Sequence, residues 1–153
     1  MMDRRLLILL AAGGSAALLA GAHVFEALGY APCKLCLWQR GPHWAAVAIG
    51  FAALLFAWRP LPWAGALAAA ATAVLGAYHT GVERGWWPGP DSCTSTGDLT
   101  GSAEDLLDAI MAAPLIRCDE VAWRLIGLSM ASWNAILSLA LMFLWIAAAR
   151  LRR

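Results

Sequence analysis

Four long uncharged apolar runs constrain this chain more than any other feature. They lie at residues 6–25, 43–58, 64–82 and 131–149. A run of about 18 or more apolar residues is typical of a transmembrane helix, and the shortest run reaches that length with its flanks. The runs and their connections use up the 153 residues. We therefore predict one membrane domain over 1–153, an all-α integral membrane bundle of four transmembrane helices.

The overall composition agrees with a membrane chain. Hydrophobic residues make up 61% and charged residues 14% of the sequence, whereas soluble domains average about 45–50% and about 25%. The formal net charge of +1 gives no signal for a polyanionic partner. We expect the lipid bilayer to surround the chain, and no nucleic acid.

The first run has two interpretations. Arg4 and Arg5 before it, and the small residues Ala20-Gly21-Ala22 at its end, also resemble a secretory signal with a cleavage site. The run is longer than the 7–15 residues usual for a signal core, which favours a retained anchor. Either interpretation places the residues that follow outside the cytoplasm.

The distribution of lysine and arginine predicts the orientation. If the N-terminus is inside, the inner segments hold six lysines and arginines in 14 residues. The outer loops, about 26–42 and 83–130, then hold five in 65 residues. Positive residues concentrate on the cytoplasmic side of membrane proteins. We predict cytoplasmic termini and two outer loops, the second with a short amphipathic helix capped by Ser102.

All four cysteines then face the oxidising side, which favours disulfides. Cys33 and Cys36 form a Cys-x-x-Cys pair, whereas Cys93 and Cys118 are 25 residues apart. Four inert structural cysteines remain possible, but a three-residue spacing closes too small a loop to add much stability. A structural zinc site usually has a second close pair of ligands, which is missing from the sequence, so we expect no metal. Redox exchange is the interpretation that this spacing favours.

The position of the pair supports redox chemistry. Cys36 lies near the predicted N-terminus of the second span, where the helix dipole stabilises a thiolate. Cys33, Cys36 and Arg40 follow an i, i+3, i+7 spacing, so they share one stripe of a helix. A cation is costly beside lipid, so we expect Arg40 to have a partner, although an interfacial arginine can also extend to water.

An electron acceptor follows by elimination. Two dithiols on one face can pass oxidation between them through mixed disulfides, and the electrons must then leave. The sequence has no haem or iron–sulfur ligand set and no dinucleotide-binding glycine pattern. A lipid-soluble quinone reaching the membrane boundary fits this need.

The chain resembles the DsbB family, the disulfide bond formation proteins of the bacterial inner membrane. The resemblance covers nearly the whole chain and rests on PCKLCLWQR at 32–40, on Cys93 and Cys118, and on CDEVAW at 118–123 running into GLSMASWN at 127–134.

The resemblance implies a role for each cysteine. Cys93 would form the mixed disulfide with a periplasmic thioredoxin-like oxidase of the DsbA type. Cys118 would pair with Cys93 at rest and with Cys33 during transfer. Cys36 would be the thiolate that meets the quinone, and the electrons would continue into the respiratory chain.

The resemblance also implies a quinone site. Arg40 would bind and polarise the quinone, and His79 matches a family histidine near it, although a packing role for His79 is equally open. Gln39 stands where some relatives have an acid and receives no role. Two alternatives stay open: a vitamin K epoxide reductase-like protein, whose Cys-x-x-Cys pair lies near the last span, and a non-enzymatic membrane protein held by disulfides. The sequence does not distinguish ubiquinone from menaquinone.

Overall fold

The computed structural model of the chain describes residues 3–90, 93 and 116–151. The helix predicted to be capped by Ser102 lies outside these residues. The described part contains four α-helices, namely α1 (Arg4–Ala27), α2 (Lys34–Leu55), α3 (Pro60–Glu83) and α4 (Met130–Arg150). The predicted all-α character of the chain is confirmed for this part, apart from one short hairpin.

The hairpin precedes α4 and was not predicted. Its strands, β1 (Arg124–Leu125) and β2 (Leu128–Ser129), pair antiparallel across a two-residue turn. Ile126 and Gly127 in the turn both have positive φ, at 52° and 76°. Two left-handed residues are what a tight hairpin turn requires, and glycine adopts that conformation without strain. The hairpin delivers Ser129 to the start of α4.

Side-chain caps and proline define the helix starts. The Asp3 carboxylate accepts a hydrogen bond of 2.7 Å from the Leu6 amide at the start of α1. The Ser129 hydroxyl accepts one of 3.2 Å from the Ser132 amide at the start of α4. Pro60 occupies the first turn of α3, where its missing N–H costs nothing. The helices therefore begin where polar or proline residues interrupt the apolar runs.

Contacts at both ends show how the helices run. Arg4 at the start of α1 donates to the Trp58 carbonyl after α2, at 3.3 Å. At the other end, Arg40 near the start of α2 donates to Glu26 near the end of α1, at 2.8 Å. Consequently α1 and α2 are antiparallel. The Ser129 hydroxyl donates to Glu83, which places the end of α3 beside the start of α4.

The second helix differs from its predicted bounds. It begins nine residues before the apolar run 43–58, and α1 extends through Ala27. The predicted outer loop 26–42 therefore shrinks to the link 28–33. The reason is a cap: the Cys33 sulfur accepts the Cys36 amide hydrogen at 3.2 Å, which starts the helix within the cysteine motif.

Three of the four described helices, α1, α3 and α4, are long and apolar enough to cross a membrane. The remaining helix, α2, has 22 residues and carries Lys34, Gln39, Arg40 and His43 on its first half. At about 1.5 Å per residue it is about 33 Å long, which matches a bilayer core.

The helices pack most closely where small residues meet. A Cβ added at Gly76 of α3 would lie 2.9 Å from the Ala135 nitrogen and 3.0 Å from the Ala131 oxygen of α4. The backbones thus approach one another directly, as small residues allow in membrane helices. An apolar core around the fully buried Trp145 fills one end of the bundle. The four cysteines lie at the other, which we call the cysteine end.

Candidate active site

The Cys-x-x-Cys pair forms the start of α2. Cys33 and Cys36 are both free thiols, and their sulfurs lie 2.7 Å apart. Cys33 is buried and is itself the N-cap, whereas Cys36 is half-buried in the first turn. The two sulfurs are close enough to share a proton, and they are in position to form a disulfide.

The surroundings of Cys33 favour its thiolate form. The hydrogen bond between the two sulfurs is the largest cause that lowers the pKa of Cys33 to about 5, against the opposing effect of burial. His79 Nε2, at 3.6 Å from the same sulfur, adds to the effect. The role of Cys36 as the thiolate that meets the acceptor stays a prediction.

The second cysteine pair is oxidised and adjacent to the first. Cys93 and Cys118 form a disulfide, with Cα atoms 5.4 Å apart. Both are buried in one apolar cluster with Cys33, and Cys36 packs against that cluster. The pairing that the resemblance implied at rest is the one present here. The two cysteine pairs are therefore neighbours in the fold.

His79 links the two pairs. Its Nε2 lies 3.6 Å from the Cys33 sulfur and 3.2 Å from the Cys118 carbonyl oxygen. Glu83, one turn further along α3, approaches the same nitrogen at 4.0 Å with a side chain that is only 7% exposed. The histidine predicted to lie near the acceptor thus lies against the Cys33 sulfur.

Arg40 has a partner of opposite charge, as expected for a cation beside lipid. Its Nη1 donates to Glu26 at 2.8 Å, across from α2 to α1. Its Nε is buried and has no hydrogen-bond partner among the described residues. One edge of the guanidinium is therefore neutralised, and one N–H remains available to a ligand.

A cavity of about 690 Å³ opens beside the pair. It lies between α1, α2 and α4, below the segment 116–123, and its wall is mostly apolar. The polar and sulfur-bearing groups on its wall include Cys33, Cys36, Gln39, Arg40, His43, His79, Glu83 and Asn134. A volume in the range of about 300–1,000 Å³ with few polar groups is typical of a small-molecule site.

Comparison with known proteins decides the family. The family model described as "Disulfide bond formation protein DsbB" matches residues 4–148. The chain belongs to the DsbB family. A curated relative, an uncharacterized protein of Rickettsia prowazekii (strain Madrid E), is 27% identical over 119 residues, which cover 74% of this chain and 68% of that protein. No solved structure matches.

The DsbB family is one of disulfide bond formation, so membership implies that this membrane protein oxidises thiols. The match also favours this family over the vitamin K epoxide reductase-like alternative. The match likewise favours a thiol oxidoreductase over a protein that uses its four cysteines only as structural bridges. The chain is a thiol oxidoreductase by family.

The sequence analysis did not identify the polar network beside the Cys33–Cys36 pair. Gln39 was given no role, yet its amide nitrogen lies 3.0 Å from His79 Nδ1 and donates to the Leu35 carbonyl at 3.1 Å. Because an amide nitrogen only donates, Nδ1 must accept, and the His79 proton sits on Nε2, facing Cys33. Asn134 in turn donates to the Gln39 oxygen at 2.7 Å.

A usable signal for this network existed in the sequence. Gln39, His43, Thr72 and Asn134 are polar residues within or beside apolar helices. Such residues are costly in lipid and usually face a bundle interior or a functional cavity. Their mutual pairing across α2, α3 and α4 depends on helix rotation, which one sequence does not provide.

Cys33, Cys36 and His79 also satisfy the minimum for a metal cluster, with ligand atoms within 4.8 Å of one another. His79 of α3 thus completes a set of three possible ligands. However, two thiolates on a tetrahedral zinc lie about 3.8 Å apart, given bonds of about 2.3 Å. The observed 2.7 Å between the sulfurs favours disulfide formation over metal binding.

Proposed function

We propose that this protein oxidises a periplasmic thioredoxin-like dithiol oxidase of the DsbA type by disulfide exchange and passes the electrons to membrane quinone. The observation that carries the proposal is the contact of two cysteine pairs, one oxidised and one reduced, beside one cavity. In this role the protein sustains disulfide formation in periplasmic proteins. Its electrons enter the respiratory chain through the quinone pool.

The first exchange involves the partner. A partner thiolate attacks the Cys93 sulfur, the Cys93–Cys118 bond breaks, and Cys118 leaves as a thiolate. The partner's second thiolate then attacks the mixed disulfide, so the partner gains a disulfide and Cys93 becomes a thiol. The pocket of about 480 Å³ beside this disulfide, lined by Trp86, Trp87 and Pro88, supports access to it from outside the bundle.

The second exchange is internal. The Cys118 thiolate attacks Cys33 of an oxidised Cys33–Cys36 pair, and Cys36 leaves as a thiolate. Cys93 then attacks Cys118, which restores the Cys93–Cys118 bond and releases Cys33. The products are a Cys93–Cys118 disulfide and a Cys33–Cys36 dithiol, the arrangement that this structure has.

The cavity residues fit a quinone. The wall is mostly apolar, Cys36 lines it, and the buried Nε of Arg40 offers a donor to a carbonyl oxygen. A bound quinone, ubiquinone or menaquinone, supplies an acceptor for two electrons and two protons. Arg40 would hold and polarise one oxygen, and His79 would keep the Cys33 thiolate oriented. Cys36, the more exposed sulfur, would be the one nearest to the acceptor.

The proposed topology has four spans in a single membrane domain, 1–153, with both termini in the cytoplasm. The helix α2 packs against both α1 and α3 and meets α1 at both of its ends, through Trp58 and Arg40. It must therefore cross the same thickness as these neighbours. The excess of arginine at the end opposite the cysteines supports a bacterial inner-membrane protein with its site on the periplasmic side.

The test is anaerobic quinone reduction by the purified protein. Reduced thioredoxin-like partner and a short-chain quinone are added, and quinol is measured against partner disulfide. The proposal predicts one quinol for each partner disulfide, and no quinol with the Cys36→Ser variant. Partner oxidation without quinol, or equal quinol from Cys36→Ser, would overturn it.

A further inference from the structure

His43 is a buried histidine on the cavity wall, three residues after Arg40 on α2. It is only 3% exposed, and it lines the cavity beside the cysteine pair. Its Nε2 lies 2.8 Å from the Asn134 Oδ1. Its Nδ1 is buried and has no hydrogen-bond partner within residues 3–90, 93 and 116–151. Buried polar atoms in folded proteins nearly always have a partner, so this nitrogen needs one from beyond these residues, and the cavity that His43 lines is where a ligand would supply it.

Asn134 determines what that atom can do. The Asn134 amide nitrogen donates to the Gln39 Oε1 at 2.7 Å and to the Thr72 Oγ1 at 3.1 Å. The other atom of the amide, Oδ1, is then an acceptor, and His43 must donate to it from Nε2. In the neutral ring, Nδ1 consequently carries a lone pair and can only accept a hydrogen bond.

Arg40 adds a hydrogen-bond donor to the cavity wall on which His43 Nδ1 is an acceptor. Its unpartnered Nε is a donor, and the two residues lie on one side of α2, at i and i+3. A carbonyl group can bind Arg40 but has no hydrogen to give to His43. A hydroxyl group can satisfy His43.

We propose that His43 Nδ1 accepts a hydrogen bond from a hydroxyl of the reduced acceptor, so that the cavity binds a quinol more tightly than the corresponding quinone. The inference rests on the proposed function and assigns His43 a binding role in that site. A site that binds the reduced form more tightly makes the bound acceptor a stronger oxidant, because binding shifts the redox equilibrium by the ratio of the two affinities. For a two-electron couple, a tenfold ratio corresponds to about 30 mV. His43 thus favours the withdrawal of electrons from the cysteine pair.

The experiment measures binding without turnover. In a Cys33→Ser/Cys36→Ser background, the affinities for a short-chain quinone and for its quinol are measured anaerobically by calorimetry. His43→Phe keeps a ring but removes the acceptor, and His43→Leu removes the same atoms with a smaller side chain. His43→Gln can donate to Asn134 and still offer an oxygen to the cavity. Trp44→Phe is the matched control, since Trp44 follows His43 on α2 but is exposed and does not line the cavity.

We expect the background protein to bind the quinol about tenfold more tightly than the quinone. His43→Phe and His43→Leu should abolish that preference with little change in quinone affinity. His43→Gln should restore most of it, and Trp44→Phe should leave it unchanged. An unchanged ratio in both His43→Phe and His43→Leu overturns the inference, as does an equal loss of both affinities.

These outcomes are distinct from failure of the proposed function. If the wild-type protein reduces quinone but His43→Phe keeps the quinol preference, only the role of His43 is wrong. If neither form of the acceptor binds and the wild-type protein reduces no quinone, the proposed function and this inference both fall.

Discussion

The side-chain nitrogen of Gln39 lies 3.0 Å from Nδ1 of His79, and this contact fixes the proton of the histidine on the nitrogen that faces Cys33. The orientation of the amide is itself fixed, because the same nitrogen donates to the Leu35 carbonyl. A residue that does not touch either sulfur thereby controls the hydrogen bond that one of them receives.

Replacing Gln39 should change the acidity of Cys33. In Gln39→Leu the imidazole loses the donor to Nδ1, and its Nε2–H is no longer held toward the sulfur. We expect the pKa of Cys33 to rise by about one unit, equivalent to about 1.4 kcal/mol. In Gln39→Glu a carboxylate can accept from Nδ1–H and favour the imidazolium, so the pKa should stay low. Thiolate absorbance near 240 nm measures both variants. An unchanged Gln39→Leu titration would contradict this account of the amide.

The wild-type titration should show an acidic thiol. The pKa of Cys33 is lowered to about 5, against about 8.5 for a free cysteine. Because the thiolate is the favoured form, one sulfur should ionise as the pH rises through about 5 and remain ionised at neutral pH. The measurement uses the reduced pair in a Cys93→Ser/Cys118→Ser background, so that only two thiols are present.

The Cys36→Ala variant tests the cause of this acidity. Without the thiol that donates to it, the Cys33 sulfur should ionise closer to its ordinary range. If the midpoint of the wild-type pair lies near 8.5, or if Cys36→Ala leaves an acidic midpoint in place, the hydrogen bond between the sulfurs is not what stabilises the thiolate.

Arg40 should matter to the acceptor and not to the partner. Arg40→Leu removes the buried Nε donor, so the apparent KM for quinone should rise about tenfold or more, as expected for the loss of one charge-assisted hydrogen bond of about 1.5–3 kcal/mol. Exchange between the partner and the Cys93–Cys118 disulfide should continue at a normal rate. Arg84→Leu is the matched control, because Arg84 lies over Trp86 and does not line the cavity. An unchanged quinone KM in Arg40→Leu would remove Arg40 from the site.

Gly76 should be intolerant of a side chain. The added methyl of Gly76→Ala would meet backbone atoms of Ala131 and Ala135 at 3.0 and 2.9 Å, and overpacking of this kind costs about 1–3 kcal/mol. Gly13→Ala in α1 is the control, since a Cβ there meets nothing within 4 Å among the described residues. Replacing a mid-helix glycine with alanine stabilises by about 0.5–1 kcal/mol. Unfolding in mixed detergent micelles should separate the two variants, and equal stabilities would show that α3 and α4 are not in direct contact at Gly76.

The sequence predicted the positions of most helices because each apolar run is a property of one continuous segment. Apolar runs gave α1, α3 and α4 to within a few residues, since length and hydropathy are properties of a single segment. The start of α2 lies nine residues before the apolar run 43–58, which agrees with the expectation that Cys36 lies near the N-terminus of a helix. The apolar run begins at His43, whereas the helix begins at its Cys33 cap, and a sulfur acting as a cap has no compositional signal.

The candidate site was predicted in its chemistry but not in its details. The four cysteines, Arg40 and His79 were named from spacing and from resemblance, and the structure brings the cysteines and His79 together at one end of the bundle, with Arg40 on the adjoining cavity wall. Gln39, His43 and Asn134 were not identified, because their partners lie 40, 91 and 95 residues away. Such pairs depend on how three helices are rotated against one another.

The central claim is that the Cys33–Cys36 pair, and not the Cys93–Cys118 pair, delivers electrons to the acceptor. The most direct measurement is a single turnover without oxygen. Reduced Cys93→Ser/Cys118→Ser protein, which retains only the cavity pair, is mixed with one equivalent of quinone. Quinol is measured by absorbance, and the remaining thiols are trapped by alkylation.

We predict one quinol for each protein molecule, with complete conversion of Cys33 and Cys36 to a disulfide and no oxidation of added partner. The complementary Cys33→Ser/Cys36→Ser protein should form no quinol. Quinol formation by that complementary protein, or its absence in the protein that keeps Cys33 and Cys36, would contradict the account.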